Sequence, residues 1–290
     1  MGSGAFTDQP TGSGHFGMTS ITINTPIYYP GIQDMESFDL RGRIALVTGA
    51  SSGLGRRFAQ VLAAHGARVV LAARRTERLE ALRQDIIEAG GQAHCVALDV
   101  TQPEQIAARI EQVEREVGAV DILVNNSGVS HTIRLIDVRP EDFDPIFDTN
   151  VRGAFFVAQA VARPMIDRAR ADPTREARII NIASMAGVKP LSGIGVYSMS
   201  KAAVIQMTRA MALEWGRFNI NVNAILPGYI RTEINEAHWD TEGGRKLIAM
   251  TPRKRVGDPQ DLDGVLLLLA SPAARMISGS TFTVDDGFCL

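Results

Sequence analysis

Between Arg43 and Asp286 the sequence alternates short apolar runs with amphipathic stretches, and this alternation constrains the fold more than any other feature. The runs RIALVTG (43–49), ARVVLAA (67–73), QAHCVAL (92–98), VDILVNN (120–126), ARIINIA (177–183), INVNAIL (220–226) and STFTVDD (280–286) are rich in Val, Ile and Leu. Uninterrupted apolar runs of this length suit strands covered on both faces, as in a parallel sheet. Helical patterns fall between them, at roughly 53–65, 76–89, 103–117, 142–169, 198–217 and 259–270. Some carry start signals, such as Thr101 before Pro103, or DPQDL at 258–262. The pattern predicts an α/β fold: a doubly wound parallel sheet in three layers, α/β/α. No linker, composition shift or repeat divides 38–290, so that span is expected to be one domain. Such a sheet takes ligands at the carboxyl ends of its strands. Gly49, Asn126, Ser184 and Pro227 each follow an apolar run there.

Charge and composition exclude several classes of partner. A net charge of −2 over 290 residues gives no electrostatic case for nucleic acid or anionic lipid. No stretch is apolar enough for a membrane span. The five histidines show no ligand spacing, so no metal site is expected. Cys95 and Cys289 lie far apart in sequence, which argues against a disulfide framework and for the cytoplasm. Residues 1–40 contain no Lys or Arg, which excludes a secretory signal or mitochondrial leader there. Residues 1–37 are expected to be a flexible leader, with Met18 open as a native start. Tyr28 and Tyr29 in it belong to a solvated tail or to a docking segment.

The first apolar run is followed by TGASSGLG, with Gly49, Gly53 and Gly55 opening a helix. Glycines permit a tight turn and close backbone approach, and a helix amino terminus offers free N–H groups to a pyrophosphate. The spacing is GxxxGxG rather than the commoner GxGxxG, so position after the first strand carries the argument. At the end of the second run, an acid would bind a ribose 2′-hydroxyl. This chain has Ala73, Arg74 and Arg75 instead. Guanidinium groups pair with a 2′-phosphate, so NADP(H) is favoured over NAD(H). Asp99, in LDVT, can accept from an adenine amino group or cap the next helix. The turn NNSG (125–128) can lie against adenosine. Further on, GVYSMSK sets Tyr197 four residues before Lys201. An i,i+4 pair shares a helical face and is commonplace, so this spacing alone decides little.

Together, TGASSGLG, NNSG, a serine ending the fifth run and YxxxK make the chain resemble the short-chain dehydrogenase/reductase family, over about residues 38–290. The resemblance implies a Rossmann-like, single-domain enzyme of the family's shorter branch. It implies a catalytic set of Asn150, Ser184, Tyr197 and Lys201, with Ser184 13 positions before Tyr197. It implies cofactor contacts at Gly49, Ser51, Ser52, Gly53, Leu54, Gly55, Arg74, Arg75, Asp99, Val100, Asn126, Ser127 and Gly128. Tyr197, Lys201, Pro227, Gly228, Ile230 and Thr232 would complete that surface, the last four around the nicotinamide. Two departures stand out: Ser127 where alanine is usual, and Asp286 where glycine is common.

The chemistry such a set performs is hydride exchange between NADP(H) and a ketone or secondary alcohol. Moving a tyrosine from its ordinary pKa of ~10 to near 7 takes roughly 4 kcal/mol. A cation ~4 Å away supplies about that much at an effective dielectric near 20. Lys201 is the expected cation, Tyr197 the proton donor and Ser184 the hydrogen-bond partner of the developing alkoxide. Asn150 is expected to hold a water that joins Lys201 to solvent.

The substrate pocket is expected between 185–196 and 228–251, the latter read as a mobile lid. Ser184, Met185, Leu191, Ile194, Tyr197 and Trp239 are its expected wall, although the apolar members also suit ordinary lid packing. They suggest a 3-oxoacyl-type or other apolar ketone. A sugar, polyol or hydroxysteroid-type alcohol is the alternative, and a non-enzymatic NADP-binding regulator is the rival of another class. By resemblance, the helical faces in 142–169 and 198–217 pair subunits into a homotetramer or dimer.

Overall fold

The computed structural model describes residue 1, residues 38–233 and residues 235–290. The leader, with Tyr28 and Tyr29, lies outside the described residues. Seven parallel strands form one sheet: β1 (Ile44–Thr48), β2 (Arg68–Ala73), β3 (Gln92–Ala97), β4 (Ile122–Asn125), β5 (Ala177–Ile182), β6 (Ile220–Pro227) and β7 (Thr281–Val284). Their order is β3-β2-β1-β4-β5-β6-β7, with Val47 in register with both Leu71 and Val124. The direction of winding reverses between β1 and β4, which opens a crevice at their carboxyl ends.

The inner strands β1, β4 and β5 are buried almost end to end because both faces are covered, whereas the edge strands β3 and β7 are part-exposed. Alternate side chains point to opposite faces. Ala45, Val47, Val69, Leu71, Ile122 and Val124 join a core completed by α1 (Gly53–Ala64), α2 (Thr76–Glu88) and α9 (Asp263–Ala270), through Phe58, Leu79, Leu82 and Leu266. Leu46, Val70, Ala72 and Leu123 face the other way, against α3 (Pro103–Glu116), α5 (Ala154–Ala171) and α6 (Gly195–Trp215). That second core includes Ile106, Ile110, Val157, Val161 and Met211. This is the three-layer doubly wound fold the apolar runs predict.

The helices depart from expectation in three places. The pattern expected as one helix over 142–169 is α4 (Pro140–Phe147), a π-helical turn (Asp148–Gly153) and then α5. Gly153 explains the break: a Cβ there would lie 2.6 Å from the Val100 carbonyl oxygen, so the chain crosses the β3–α3 loop at backbone distance. The expected helix at 259–270 starts as a 3-10 turn (Pro259–Leu262). The expected lid contains α7 (Glu236–Trp239) and α8 (Glu242–Met250). No helix among the described residues is long and apolar enough to cross a membrane.

Candidate active site

The β1–α1 turn and the loop after β4 are locked together at the crevice. Thr48 Oγ1 accepts from the backbone N–H of Asn126 at 2.9 Å and of Ser127 at 3.1 Å. Asn126 Nδ2 donates back to the Thr48 carbonyl at 2.9 Å. Gly49 and Gly53 have φ of +67° and +54°, which side-chain-bearing residues rarely adopt. Gly55 serves closeness instead: a Cβ there would meet the Gly49 carbonyl oxygen at 2.3 Å. Ser52 precedes α1 without capping it, so the first amides of a 12-residue helix remain open to a ligand.

Arg75, at the end of β2, reaches across to this turn. Its Nη2 donates to Ser51 Oγ at 2.9 Å and Ser52 Oγ at 3.0 Å. Ala73 and Arg74 lie beside it on the wall of a cavity of about 730 Å³. The same cavity takes in Gly49, Gly53, Leu54, Asp99, Val100, Asn126, Ser127, Gly128, Ser184, Tyr197 and Lys201. Pro227, Gly228, Ile230, Thr232 and Trp239 also line it. A glycine-built turn, an open helix amino terminus and two arginines on one continuous cavity fit a phosphorylated dinucleotide. Gly55 lies behind that wall and serves the turn.

At the other end of the cavity, Ser184 follows β5 and Tyr197 and Lys201 stand on the first turns of α6. Ser184 Oγ accepts from the Ala186 N–H at 3.1 Å, which fixes its rotamer, and it hydrogen-bonds the Tyr197 side chain. Lys201 Nζ donates to the Ile182 carbonyl at 2.8 Å and sits 5.6 Å from the Tyr197 ring centre. Asn150, in the π-helical turn, is buried. Its Oδ1 accepts from the Val129 N–H at 2.8 Å, and its Nδ2 donates to the Val129 carbonyl at 2.9 Å and Ser200 Oγ at 3.0 Å. Gly128 keeps the space between Lys201 and Asn150, since a Cβ there would lie 3.3 Å from Nζ and 3.4 Å from Asn150 Oδ1.

Known proteins share both the sequence and this fold. A family model described as Enoyl-(Acyl carrier protein) reductase matches residues 49–289. The gluconate 5-dehydrogenase of Gluconobacter oxydans is 38% identical over 253 residues, covering 87% of this chain and 96% of its own. The crystal structure of a short-chain type dehydrogenase/reductase from Mycobacterium marinum is 39% identical, covers 87% of this chain and 98% of its own, and superposes with a TM-score of 0.81. That of a gluconate 5-dehydrogenase from Burkholderia cenocepacia, in complex with NADP and tartrate, is 36% identical with a TM-score of 0.82, over 87% of this chain and 97% of its own. The chain belongs to the short-chain dehydrogenase/reductase family. It is an NAD(P)-dependent oxidoreductase acting between carbonyl and alcohol groups.

Within this dehydrogenase/reductase, burial changes the electrostatics expected from spacing alone. Desolvation pushes the Tyr197 phenol above its ordinary value, against the lowering effect of Ser184. Desolvation also brings the Lys201 ammonium down to about 8. A bare Coulomb estimate omits both effects, because it leaves out the cost of taking the groups out of water. At neutral pH Lys201 is charged and Tyr197 holds its proton. Both side-chain N–H donors of Asn150 are committed to Val129 and Ser200. Asp99 divides its functions: Oδ1 accepts from Thr101 N–H and hydroxyl at 3.0 and 2.8 Å, while the residue still lines the cavity.

The expected substrate wall holds only in part. Trp239 lines the cavity, with its indole N–H donated to Asn235 Oδ1 at 3.1 Å. Met185, Leu191 and Ile194 are not among the lining residues. Met185 is buried, and Ile194 pairs with Ile133 in an isolated bridge. Tyr229 and His238, within the expected 228–251 wall but not singled out from the sequence, line the cavity, as does Ser130, which sequence reasoning missed. It also missed Ser200, which accepts from Asn150 and donates to the Tyr197 carbonyl at 2.7 Å. Tyr229 alone had a signal, its position directly after Pro227-Gly228.

Proposed function

We propose that residues 38–290 act as one catalytic domain that reduces a small hydroxylated ketone, of the keto sugar acid class, with NADPH. One observation carries this reading: the cavity that holds Ser184, Tyr197 and Lys201 also takes in Ser130, Tyr229 and His238. None of those three side chains has a hydrogen-bond partner among the described residues, so their polar groups are open to substrate hydroxyls. The relatives named gluconate 5-dehydrogenase support the same substrate class. A 3-oxoacyl compound is the other class, in keeping with the acyl carrier protein in the family model's description.

The Arg75 bridge to Ser51 and Ser52, with Arg74 beside it and no acid at the end of β2, supports a 2′-phosphate and hence NADP(H). Held by the turn at Gly49 and Gly53 and by Arg74 and Arg75, NADPH would supply the hydride for the carbonyl carbon. Ser184 Oγ hydrogen-bonds the carbonyl oxygen as negative charge develops on it, and the Tyr197 hydroxyl delivers the proton there. Lys201, charged below about pH 8, stabilises the resulting phenolate. Asn150 acts by fixing the loop at Val129 beside Gly128, and the protonated state of Tyr197 suits the reductive direction. We place the chain in the cytoplasm, in line with the free Cys95 and Cys289. We assign it a homotetramer or dimer joined through α5 and α6, which expose Phe155, Met199 and Leu213.

NADPH oxidation followed with 5-keto-D-gluconate and with an acetoacetyl thioester tests the reading. A higher kcat/KM on the keto acid is expected, and the reverse order would assign the acyl class instead. Tyr197→Phe is expected to lower turnover about a thousandfold while NADPH still binds. Near-normal turnover in that variant would remove Tyr197 from the chemistry.

A further inference from the structure

The C-terminal residues meet the cavity wall through one aromatic side chain. Tyr229 stands edge-on between Trp239, 5.7 Å away at 73°, and Phe288, 5.3 Å away at 80°. Phe288 is itself buried and clamped from the loop that follows Ser184. Lys189 Nζ donates to the Phe288 carbonyl at 2.8 Å and lies 4.9 Å over the ring. The backbone beneath is equally close, since a Cβ on Gly228 would meet Asp285 Cα at 2.6 Å. Gly228 N–H donates to the Val284 carbonyl at 2.8 Å. A ring so held has little freedom to turn aside when a ligand enters.

Tyr229 also divides two spaces. It lines the large cavity with Ser184 and Tyr197, and a second cavity of about 190 Å³ beside Arg253, Arg255 and Asp286. Its hydroxyl has no hydrogen-bond partner among the described residues. Burial raises its pKa, so the phenol remains a donor.

We infer that Tyr229 is a specificity-determining residue, whose clamped phenol hydrogen-bonds a substrate hydroxyl, and that Lys189 and Phe288 are positioning residues that hold it in place. This rests on the hydroxylated-substrate reading above. Substrates with a hydroxyl near the reacting carbonyl gain this bond; ketones without one do not. The C-terminal segment thereby takes part in substrate choice without touching the reacting atoms.

The test compares kcat/KM for 5-keto-D-gluconate with that for a hydroxyl-free ketone of similar size. Tyr229→Phe keeps the stacked ring and removes only the hydroxyl, and it is expected to lower the ratio about tenfold. Lys189→Met, which releases Phe288 but leaves the phenol, is expected to lower the ratio by a smaller factor, mainly through KM. An unchanged ratio in Tyr229→Phe would overturn the inference, as would an equal loss on both ketones. The wild-type ratio separates the two readings: a wild-type enzyme without preference for the keto acid overturns the substrate class, whatever the variants do.

Discussion

Lys201 shows how far a single side chain can be understood from its surroundings. Its ammonium is buried, with the Ile182 carbonyl at 2.8 Å, and its pKa falls from 10.5 to about 8. Between those values the unfolded chain binds a proton that the folded chain does not. Stability therefore rises as pH climbs from 8 to 10.5, and the penalty is complete below 8. At neutral pH that penalty is on the order of 3 kcal/mol. On the proposed mechanism, a buried charge kept at such a cost is the cation that stabilises a Tyr197 phenolate. For the reaction the sign is opposite: kcat/KM for ketone reduction is expected to fall above about pH 8, as Lys201 loses its charge. A profile that stays flat through about pH 9 would contradict that assignment. Tyr197 and Lys201 stood out in the sequence only in company with Ser184 and the glycine turn, through the family resemblance, since their spacing alone decides little. The effect of burial on each was not legible there, because desolvation depends on what α6 is packed against.

At the scale of elements, the cofactor cradle joins two strand–helix turns that are distant in sequence. Arg75 follows the end of β2 and bonds both serines of the β1–α1 turn. A 2′-phosphate placed there exchanges two neutral hydroxyl acceptors for a charged one. Arg75→Ala is accordingly expected to raise the KM for NADPH at least tenfold and leave that for NADH within a factor of about two. Steady-state kinetics with both cofactors check this. The break between α4 and α5 belongs to the same scale. The apolar period runs on through 142–169, so the sequence suggests one helix, yet a π-helical turn interrupts it at Asp148–Gly153, where Gly153 lies close against Val100. That turn carries Asn150, whose amide then meets Val129 and Ser200.

At the scale of the whole molecule, α5 and α6 expose Phe155, Met199 and Leu213, among other large apolar side chains at the surface of the described residues. Large apolar groups left on two helices are costly in water, and pairing with a second copy removes that cost. Sedimentation is expected to give a tetramer or dimer, and Leu213→Lys is expected to shift it toward monomer. A monomer in the unaltered protein would end the proposal. The two-faced core was readable in advance, since uninterrupted apolar runs such as IALV and VVLAA leave no polar face on the strand and so demand helices on both sides. The substrate wall was not. Met185, Leu191 and Ile194 have the character of wall residues, but Met185 turns into the interior and Ile194 pairs with Ile133.

The sequence by itself determined the parallel α/β sheet and the glycine turn after β1, and it singled out Ser184, Tyr197 and Lys201 as candidates through the motifs they form together. Those features rest on local spacing and on patterns that repeat along the chain. Only the tertiary structure decided that Arg75 meets Ser51 and Ser52, that Asn150 is spent on Val129 and Ser200, and that Phe288 braces Tyr229. Each of these contacts joins residues brought together by the winding of the sheet. A linear pattern carries no record of such distances, because they arise from packing between elements rather than from the order of residues within one.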